Sequence, residues 1–369
     1  MSLTSAWSHH LRHSLLDLIY DDLRLSRADG GVTEFSVDGL RVECWRGWPD
    51  RPELADQWGQ LWAACPQATP FHSYTWQQSL YNSLYQQQFR LVLIYEDQRL
   101  TGAVALRIDA EGYLETIGAD LSDYLEPLIH PEDRERCWKA LMVFFRNRWD
   151  RRLKGIHFHN FRPDTPCLKI LPMAADEEGF DCDRREMQST AQIVLSESWE
   201  AYLGSLHPHQ RKELRRKIKK ARAAGAQLAC CDDPRQIERE MPGVLEIMSS
   251  HDRSKRKAVK GVLNTFLSIS TGPLAENRLL KLYRLMVKGE MAAALIVLPT
   301  PAGPMLWNCG YSEKFASISP GIVTFAWTIQ QAIEHGSTVV DLLRGPEPYK
   351  LHLGASQSSL YRLTLTLRP

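Results

Sequence analysis

The sequence predicts a mixed α/β protein made of two similar halves, and three observations lead to this fold class. Strand-like and helix-like segments alternate along the chain, a pattern typical of sheets covered by helices. An order of hairpin, strand, proline-started helix and strand occurs twice, with Pro131 and Pro320 offset by 189 residues. The 369 residues, 44% hydrophobic and 24% charged, suffice for two compact domains and do not fit a disordered chain.

The first copy of this order begins with a predicted hairpin over residues 90–108 (RLVLIYEDQRLTGAVALRI). Its flanks are apolar and rich in β-branched residues, and its turn at Glu96–Arg99 is short and polar. A short strand at Tyr113–Ile117 follows. A helix opening at Pro131 and a strand over 153–161 (LKGIHFHNF) complete the copy.

The second copy has the same parts. Residues 278–298 predict a hairpin with a charged turn at Lys288–Glu290, followed by a strand at Met305–Cys309. A helix then starts at Pro320, with Ser319 as its expected cap, and ends at Gly336 before the strand TVVDLL. Four apolar residues with helical spacing predict its buried stripe: Ile322, Ala326, Ile329 and Ile333.

Two further elements and a boundary complete the organisation. A strongly basic helix is predicted from Pro208 to Gly225, with a thin apolar stripe of Leu214, Ile218 and Ala221. The C-terminal SLYRLTLTL alternates like a half-buried strand. The charged stretch 176–189 separates the halves, so we predict an extension over 1–30, an N-terminal domain over 31–188 and a C-terminal domain over 189–369.

Cysteine usage and hydropathy indicate a cytoplasmic protein. The eight cysteines contain no C-x-x-C pair, which favours reduced thiols over disulfides or a zinc site. The pair His157 and His159 shares one face of a predicted strand, but no acidic or thiol cluster completes a metal site, so we expect no metal. The N-terminus lacks the pattern of a secretory signal, and the longest apolar run, Met291–Leu298, is too short to insert into a membrane.

The net charge of +1 conceals a strong local imbalance. The stretches 207–222 and 251–261 contain thirteen Lys or Arg and two acids, a net charge of +11 that leaves −10 for the rest. We therefore expect an anion close to the C-terminal half, either a nucleic acid or a small phosphorylated ligand.

The strongest group of candidate site residues lies in 319–350. A Ser-Pro-Gly helix start offers free N–H groups and no Cβ at Gly321, which suits a pyrophosphate but also ordinary helix capping. Asp341 lies in an otherwise apolar strand, where a carboxylate needs either a partner or an outward position. The run GPEPYK then presents an acid, a phenol and an amine within four residues, either as a site or as a surface turn.

Residues 319–350 resemble the C-terminal signature of CelD-like proteins, a branch of the GNAT acyltransferases associated with cellulose and exopolysaccharide biosynthesis and related to the FemAB peptidyltransferases. Upstream, 71–81, 120–129 and 209–225 are similar to the family's Phe-x-x-x-x-Trp segment, Asp-Tyr segment and arginine-rich helix. The resemblance covers roughly 70 to 350 and departs from the signature at Leu342 and Arg344. The matching signature positions are Ser319, Pro320, Gly321, Asp341, Gly345, Glu347, Tyr349 and Lys350.

The resemblance implies tandem GNAT-like domains and acyl transfer from acetyl-CoA, or another acyl-CoA, to an amine. This chemistry needs a proton acceptor for the amine, donors for the oxyanion and an acid for the departing thiolate. By position, Asp341 or Glu347 is the candidate base, Tyr349 the acid or orienting group and Lys350 an electrostatic group. The binding candidates are Ser319, Gly321, Arg215 and Arg216 for the coenzyme, and Trp76, Asp123 and Tyr124 for the acceptor.

We expect the donor site in the C-terminal half or at the interface of the two halves. The N-terminal counterpart of the Pro320 helix opens with His130-Pro131-Glu132, so an acid stands where the other half has Gly321. A carboxylate at that position would repel a phosphate.

Three functions fit these residues. The first is an N-acyltransferase acting on a small-molecule or saccharide amine, such as an amino sugar or polysaccharide precursor, in association with the polysaccharide-synthesis machinery. The second is a FemAB-like transferase using aminoacyl-tRNA, and the third is a non-catalytic component of a polysaccharide-synthesis complex. The basic helix suits RNA or the 3′-phosphate of coenzyme A, but the acidic remainder disfavours nucleic acid, so we prefer the first function.

Overall fold

The computed structural model describes residues 31–148, 152–249 and 261–369, which form two halves sharing one sheet. The N-terminal half contains β1 (Val32–Val37), β2 (Leu40–Trp45), α1 (Pro52–Ala64), α2 (Tyr74–Leu84), β3 (Phe89–Glu96), β4 (Arg99–Ile108), β5 (Tyr113–Thr116), β6 (Leu128–Ile129), α3 (Arg134–Asn147), β7 (Gly155–Phe161), α4 (Cys167–Glu177) and β8 (Phe180–Val194). The C-terminal half contains α5 (Trp199–Ser205), α6 (Pro208–Ala223), β9 (Ala226–Cys231), α7 (Pro234–Ser249), α8 (Val262–Glu276), β10 (Lys281–Val287), β11 (Glu290–Pro299), β12 (Pro304–Tyr311), α9 (Pro320–Glu334), β13 (Val339–Arg344), α10 (Pro348–His352) and β14 (Ser356–Leu367).

The predicted repeat is visible in the sheet. Its strands run in the order β1-β2-β3-β4-β5-β7-β14-β8-β13-β12-β11-β10-β9, with β6 paired to β4. In each half one pair of strands is parallel, β5 with β7 and β12 with β13, and a helix connects the two strands of each pair. The mixed α/β fold with two similar halves is thus confirmed. One detail differs, because Pro131–Asp133 forms a 3-10 turn that precedes α3.

The two halves exchange their last strands. β8, which ends the N-terminal half, pairs with β13 of the C-terminal half, whereas β14 pairs with β7 of the N-terminal half. β8 and β14 also pair with each other at twelve positions, which joins the two half-sheets. The boundary that the sequence predicts between residues 188 and 189 therefore lies inside β8.

Helices cover both faces of this sheet. On one face, a single apolar core joins α1 and α2 of the N-terminal half to α7 and α8 of the C-terminal half. On the other face, the two halves have separate cores, one under α3 and α4 and one under α5, α6 and α9. The shared core means that the halves bury apolar surface against each other, which is a large stabilising contribution.

The two helices bury their predicted stripes except at Ile322, which is half-buried. In α6 the buried residues are Leu214, Ile218 and Ala221, and the cationic remainder faces outward. In α9, Ala326, Ile329 and Ile333 are buried. Gly336, with a φ of +74°, follows the end of α9, where a left-handed conformation favours glycine.

The cysteines and histidines have ordinary structural surroundings. No disulfide joins any of the eight cysteines, all of which lie in the described part of the chain, and five of them are buried. His157 contacts the hydroxyl of Thr364 at 3.0 Å, and His159 lies 3.1 Å from Glu115. No group of three or more metal-ligating side chains occurs among the described residues. In the same residues, no helix combines the length and apolar character that crossing a membrane requires.

Candidate active site

A cavity opens where β12 and β13 separate. These parallel strands pair only at Met305 and Asp341, whereas β5 and β7 pair at three positions in the other half. Beyond the single pair, the ends of both strands line a cavity of about 770 Å³, together with the start of α9, α10 and a loop of the N-terminal half. Beyond this pair, the peptide groups of β12 that face the separation have no partner strand.

The N-terminus of α9, with Ser319 and Gly321, forms one wall of this cavity. Both residues line it, and the first N–H groups of the helix have no intrahelical partner. Ser319 occupies the N-cap position as expected, with a left-handed φ of +53°, but its side chain makes no capping bond. The start of α9 is left open, which provides N–H donors and the positive end of a 15-residue helix for an anion.

Asp341 lies behind the cavity wall and does not line it. Its carboxylate accepts hydrogen bonds from the Tyr124 hydroxyl at 2.7 Å, the Gln192 amide at 2.8 Å and the Leu343 backbone N–H at 2.8 Å. Burial raises the pKa of Asp341 above its usual value, and these donors oppose the shift. The three hydrogen bonds come from three different segments, so the carboxylate links β13, β8 and the N-terminal half.

Lys350 of α10 binds the end of β13 through its ammonium group. Only 2% of it is exposed, and its ammonium donates to the carbonyls of Leu343 at 3.0 Å, Arg344 at 2.5 Å and Gly345 at 3.3 Å. Leu343 has a left-handed φ of +59°, which is costly for a branched side chain unless its surroundings hold it. Lys350 and Asp341 hold the two sides of this kink, so they fix the strand end that faces the cavity.

Tyr349 and Glu347 present their side chains at the same wall. The Tyr349 ring stacks on Phe325 of α9, with centroids 5.2 Å apart, and burial raises the pKa of its hydroxyl. Glu347 is about half exposed and lies 3.1 Å from the Lys350 ammonium. Both residues line the cavity, so the predicted group of Ser319, Gly321, Glu347, Tyr349 and Lys350 is brought together.

The N-terminal half closes the cavity through the loop after β5. Asp123 forms an ion pair with Arg344, whose guanidinium also donates to the Ala119 carbonyl at 2.9 Å. Burial raises the pKa of Asp123, and Arg344 opposes the shift. Tyr124 sits beneath this pair, bonded to Asp341 and Thr190, and burial raises its pKa strongly. Arg344, which departs from the CelD-like signature, thus holds the two halves together at the cavity.

Three predicted residues lie away from the cavity. Trp76 is fully buried in the shared core, where its indole donates to Ser122 at 2.9 Å and its ring packs against Phe266 and Trp307. Arg215 and Arg216 are exposed on α6 and pair with Glu200 and Glu213 at 2.7 and 2.9 Å. The second basic stretch, 251–260, lies outside the described residues.

Several cavity residues carry no clear signal in the sequence. Asp120 is an exposed carboxylate on the cavity wall, and no described residue forms an ion pair with it. Trp307 stands at a β-bulge of β12 and donates to the Leu121 carbonyl at 3.0 Å, which closes the wall between the halves. Asn308, Cys309 and Tyr311 continue the wall along β12. Their position depends on the separation of β12 from β13, which a local pattern does not reveal.

Comparison by sequence identifies a family for part of the chain. Residues 208–351 match the sequence model of the acetyltransferase (GNAT) domain. The match begins with α6 and ends in α10, so it includes β12, α9 and β13, which line the cavity. No curated protein matches the chain by sequence.

Comparison by structure extends the likeness to both halves. A crystal structure of FemX superposes with a TM-score of 0.60 at 11% identity, over 85% of this chain and 96% of that chain. The structure of L-PGS from Bacillus licheniformis gives 0.57 at 12% identity, over 88% and 94%. The C-terminal domain of a putative lysylphosphatidylglycerol synthetase from Agrobacterium fabrum gives 0.52 at 11%, over 78% and 86%. With the repeated element order, these findings confirm the predicted tandem GNAT-like fold.

Proposed function

We propose that the chain transfers an acyl group from a coenzyme A thioester to the amine of an acceptor in the cavity between its halves. The observation that carries this proposal is the open start of α9 beside the separated strands β12 and β13. An extended thioester arm can take up the peptide groups of β12 that have no partner strand at the separation, while a pyrophosphate accepts the N–H groups of Gly321 and Ile322. The match of 208–351 to an acetyltransferase domain supports the same reaction.

The residues of the cavity supply the proton transfers that the reaction needs. The neutral amine attacks the thioester carbonyl, and a carboxylate takes its proton, with Asp120 and Glu347 as the two exposed candidates. When the carbon–sulfur bond breaks, the thiolate takes a proton from the Tyr349 hydroxyl. The Tyr349 hydroxyl is protonated at neutral pH, and because burial raises its pKa, the tyrosine regains its proton from the carboxylate as soon as the transfer is complete.

Charge indicates the class of acceptor. Arg344 and Lys350 are engaged by Asp123 and Glu347, so the cations on the wall are paired. The unpaired Asp120 gives the cavity a net negative character, which favours an acceptor that arrives as an ammonium ion and releases one proton to solvent before it attacks as the neutral amine. An amino sugar or related polysaccharide precursor meets this requirement and agrees with the CelD-like signature of 319–350.

A FemAB-like donor is the second candidate, favoured by the FemX-like fold and the exposed cations of α6. In that case, aminoacyl-tRNA would replace the thioester, and phosphate contacts would make binding strongly salt-dependent. The cationic surface of α6 is a single helix face among the described residues, and Glu200 and Glu213 partly neutralise it. This charge distribution makes the thioester the preferred donor.

Binding and turnover together test the proposal. We expect calorimetry to show that the full chain binds acetyl-CoA, and chromatography to show release of coenzyme A with a panel of amino sugars. Tyr349→Phe keeps the ring on Phe325 and removes the acid, so it should lower kcat about 100-fold while the Kd for acetyl-CoA stays within about twofold. Tyr283→Phe, a half-buried tyrosine on β10 outside the cavity, serves as the control.

The other outcomes identify the other functions. Binding of aminoacyl-tRNA without binding of acetyl-CoA would establish the FemAB-like alternative. Binding of neither donor would favour a non-catalytic component of a polysaccharide-synthesis complex. An unchanged kcat in Tyr349→Phe would remove the acid role from this residue.

A further inference from the structure

A polar surface lies on the same sheet face as the candidate active-site cavity. In β14, Leu360 belongs to the core shared by the halves, and its pairing partner Gln188 lines the cavity. Side chains alternate along a strand, so Arg362 faces the same side as Leu360, whereas Tyr361 and Leu363 pack on the opposite side. We call the polar surface around Arg362 the β14 platform. Its charged and imidazole side chains include Arg107, Glu115, His157, His159, Arg185 and Arg362.

Arg362 is the arginine of this platform that has no partner. It is half-buried, its Nε atom is buried without a hydrogen-bond acceptor, and its guanidinium forms no hydrogen bond or ion pair with a described residue. The other two arginines are engaged, Arg107 with Glu115 at 2.5 Å and Arg185 with Asp183 at 2.6 Å. A half-buried guanidinium without an acceptor costs free energy, and an anionic ligand would remove this cost.

The pairing of β14 with β8 places a second cation beside Arg362. Arg362 and Arg185 lie directly opposite each other in the register of the two strands. Such positions bring Cβ atoms to about 5 Å, and like charges there destabilise a sheet. Asp183 offsets little of this repulsion, because its pair with Arg185 is exposed to solvent. An oxyanion between the two guanidiniums would replace the repulsion with charge-assisted hydrogen bonds.

Irregular strands on both sides of Arg362 connect the platform to the cavity. β8 has the extra residue Met187 opposite Leu360 and Tyr361, and β7 has one extra residue where Asn160 takes a left-handed φ of +58°. Asn160 donates to the Ser122 carbonyl at 3.0 Å, in the loop that closes the cavity. Bulges of this kind redirect side chains and often border binding sites.

The position of β14 indicates which part of a ligand reaches Arg362. β8 and β13 lie between β14 and β12, so β14 is three strand spacings from β12, or about 14 Å. The proposed transfer takes place at the separation of β12 and β13. An anion at Arg362 therefore belongs to a different unit of the acceptor from the one that carries the reacting amine.

We propose that the β14 platform binds an oxyanion of the acceptor, with Arg362 as its main contact and Arg185 as the second. This assignment rests on the proposed function and specifies its acceptor. The acceptor is a saccharide with charges of both signs. Its amino sugar enters the cavity, where Asp120 attracts the ammonium form, and a neighbouring unit bears a carboxylate or a phosphate.

A pair of disaccharides isolates the anionic group. Calorimetry on the full chain compares an amino sugar linked to a uronic acid with its carboxyl-reduced analogue. The proteins are the wild type, Arg362→Gln and the control Arg184→Gln, whose arginine is exposed on the opposite face of β8, over the Tyr361 ring. We expect the wild type and the control to bind the acidic disaccharide about tenfold more tightly than the reduced one, and Arg362→Gln to lose this preference.

Two further measurements distinguish ligand binding from a structural role of Arg362. Arg362→Lys should keep part of the preference, because an ammonium retains the charge but not the forked donors. Burial and the charge of Arg362 lower the pKa of His157 to about 4. An NMR titration should show that the acidic disaccharide raises this pKa in the wild type and that the reduced analogue does not. Melting curves show whether each variant is folded.

The outcomes separate the platform from the proposed function. A preference that survives Arg362→Gln, or wild-type binding without a preference, overturns the platform and leaves an acyltransferase in place if coenzyme A is still released. An Arg362-dependent preference without release of coenzyme A from acetyl-CoA keeps the platform as a saccharide site and overturns the acyl transfer. A phosphate-bearing disaccharide that binds more tightly than the uronate supports a phosphate as the oxyanion. Inorganic phosphate that binds as tightly as either disaccharide overturns the acceptor assignment.

Discussion

Asp341 illustrates how one carboxylate can connect the halves without touching a substrate. It receives three hydrogen bonds, from Tyr124 of the N-terminal half, from Gln192 of β8 and from the Leu343 N–H at the kink of β13. An ionised carboxylate can accept all three, so its burial is compensated by donors. We interpret it as a positioning residue that orients the strand end carrying Arg344 and Gly345.

Two substitutions distinguish this role from that of a general base. Asp341→Asn can still accept the Leu343 N–H and can donate to the Tyr124 hydroxyl, whose proton can turn to Thr190, while the Gln192 amide rotates to present its oxygen to the new NH2 group. We therefore expect a stability loss of about 1 kcal/mol and a kcat within about tenfold. Asp341→Ala leaves three donors without an acceptor and should cost about 3 kcal/mol. Urea denaturation and steady-state kinetics measure both. A 100-fold loss of kcat in a fully stable Asp341→Asn would instead identify Asp341 as the base.

The pH dependence of the same variant gives a second readout. Burial raises the folded-state pKa of Asp341, so the stability linked to this group is fully present below its unfolded pKa of about 3.9. That contribution is lost as the pH rises through the folded pKa. Asp341→Asn should lack this part of the slope, and a slope identical to the wild type would contradict the raised pKa.

The residue patterns reveal part of the site. Ser319, Gly321, Glu347, Tyr349 and Lys350 are found because unusual polar residues lie close together in the sequence and remain close in the fold. The sequence pattern does not identify the surroundings of Trp76, because an aromatic residue in a helix has the same spacing whether its side chain contacts a ligand or another helix. Asp120 and Trp307 line the cavity because segments distant in the sequence contact each other, and local residue spacing does not predict such contacts.

At the scale of elements, α9 shows how one helix meets two opposite requirements at its ends. Its start is open toward the cavity and carries Gly321, where a Cβ would lie 3.4 Å from the ring of Tyr311. Its end is closed by Gly336, whose left-handed φ of +74° disfavours any other residue. We therefore expect the first glycine to serve the proposed donor site and the second glycine to serve the fold.

Alanine at each glycine separates these requirements within one helix. Gly321→Ala adds a methyl group at the proposed pyrophosphate site and removes backbone freedom, so stability should stay equal or rise by up to about 1 kcal/mol while the Kd for acetyl-CoA rises about tenfold. Gly336→Ala should destabilise by about 1 kcal/mol with an unchanged Kd. Thermal unfolding and calorimetry provide the two measurements. Equal effects of both variants on the Kd would argue against a donor phosphate at the start of α9.

The elements themselves are well predicted because each has a local cause. The hairpins at β3–β4 and β10–β11 follow from apolar flanks around tight polar turns, and α6 and α9 from apolar stripes between proline and glycine. The misjudged details are at element starts, the 3-10 turn at Pro131–Asp133 and the uncapped Ser319. Tertiary packing decides such ends, so propensity alone predicts them poorly.

At the scale of the whole molecule, the exchanged strands make the halves depend on each other. β14 fills the place between β7 and β8, and β8 fills the place beside β13, so neither half-sheet is complete without a strand from the other half. The sequence does show a repeat, but no local sequence pattern predicts that residues 180–194 pair with a strand distant in the chain. A boundary placed from composition therefore divides a strand that both halves use.

This dependence predicts how the chain responds to division. The fragments 31–188 and 189–369 should each fail to fold alone, because the first exposes the edge of β7 and the second lacks the partner of β13. Mixed and refolded together, they should form a complex with the circular dichroism and acetyl-CoA affinity of the full chain. The matched control is a full chain nicked after residue 196, between β8 and α5, which keeps both strands whole and should stay associated. A cooperative unfolding transition in isolated 31–188, with protected amides in β3 and β4, would show that the N-terminal half folds independently despite the exchange.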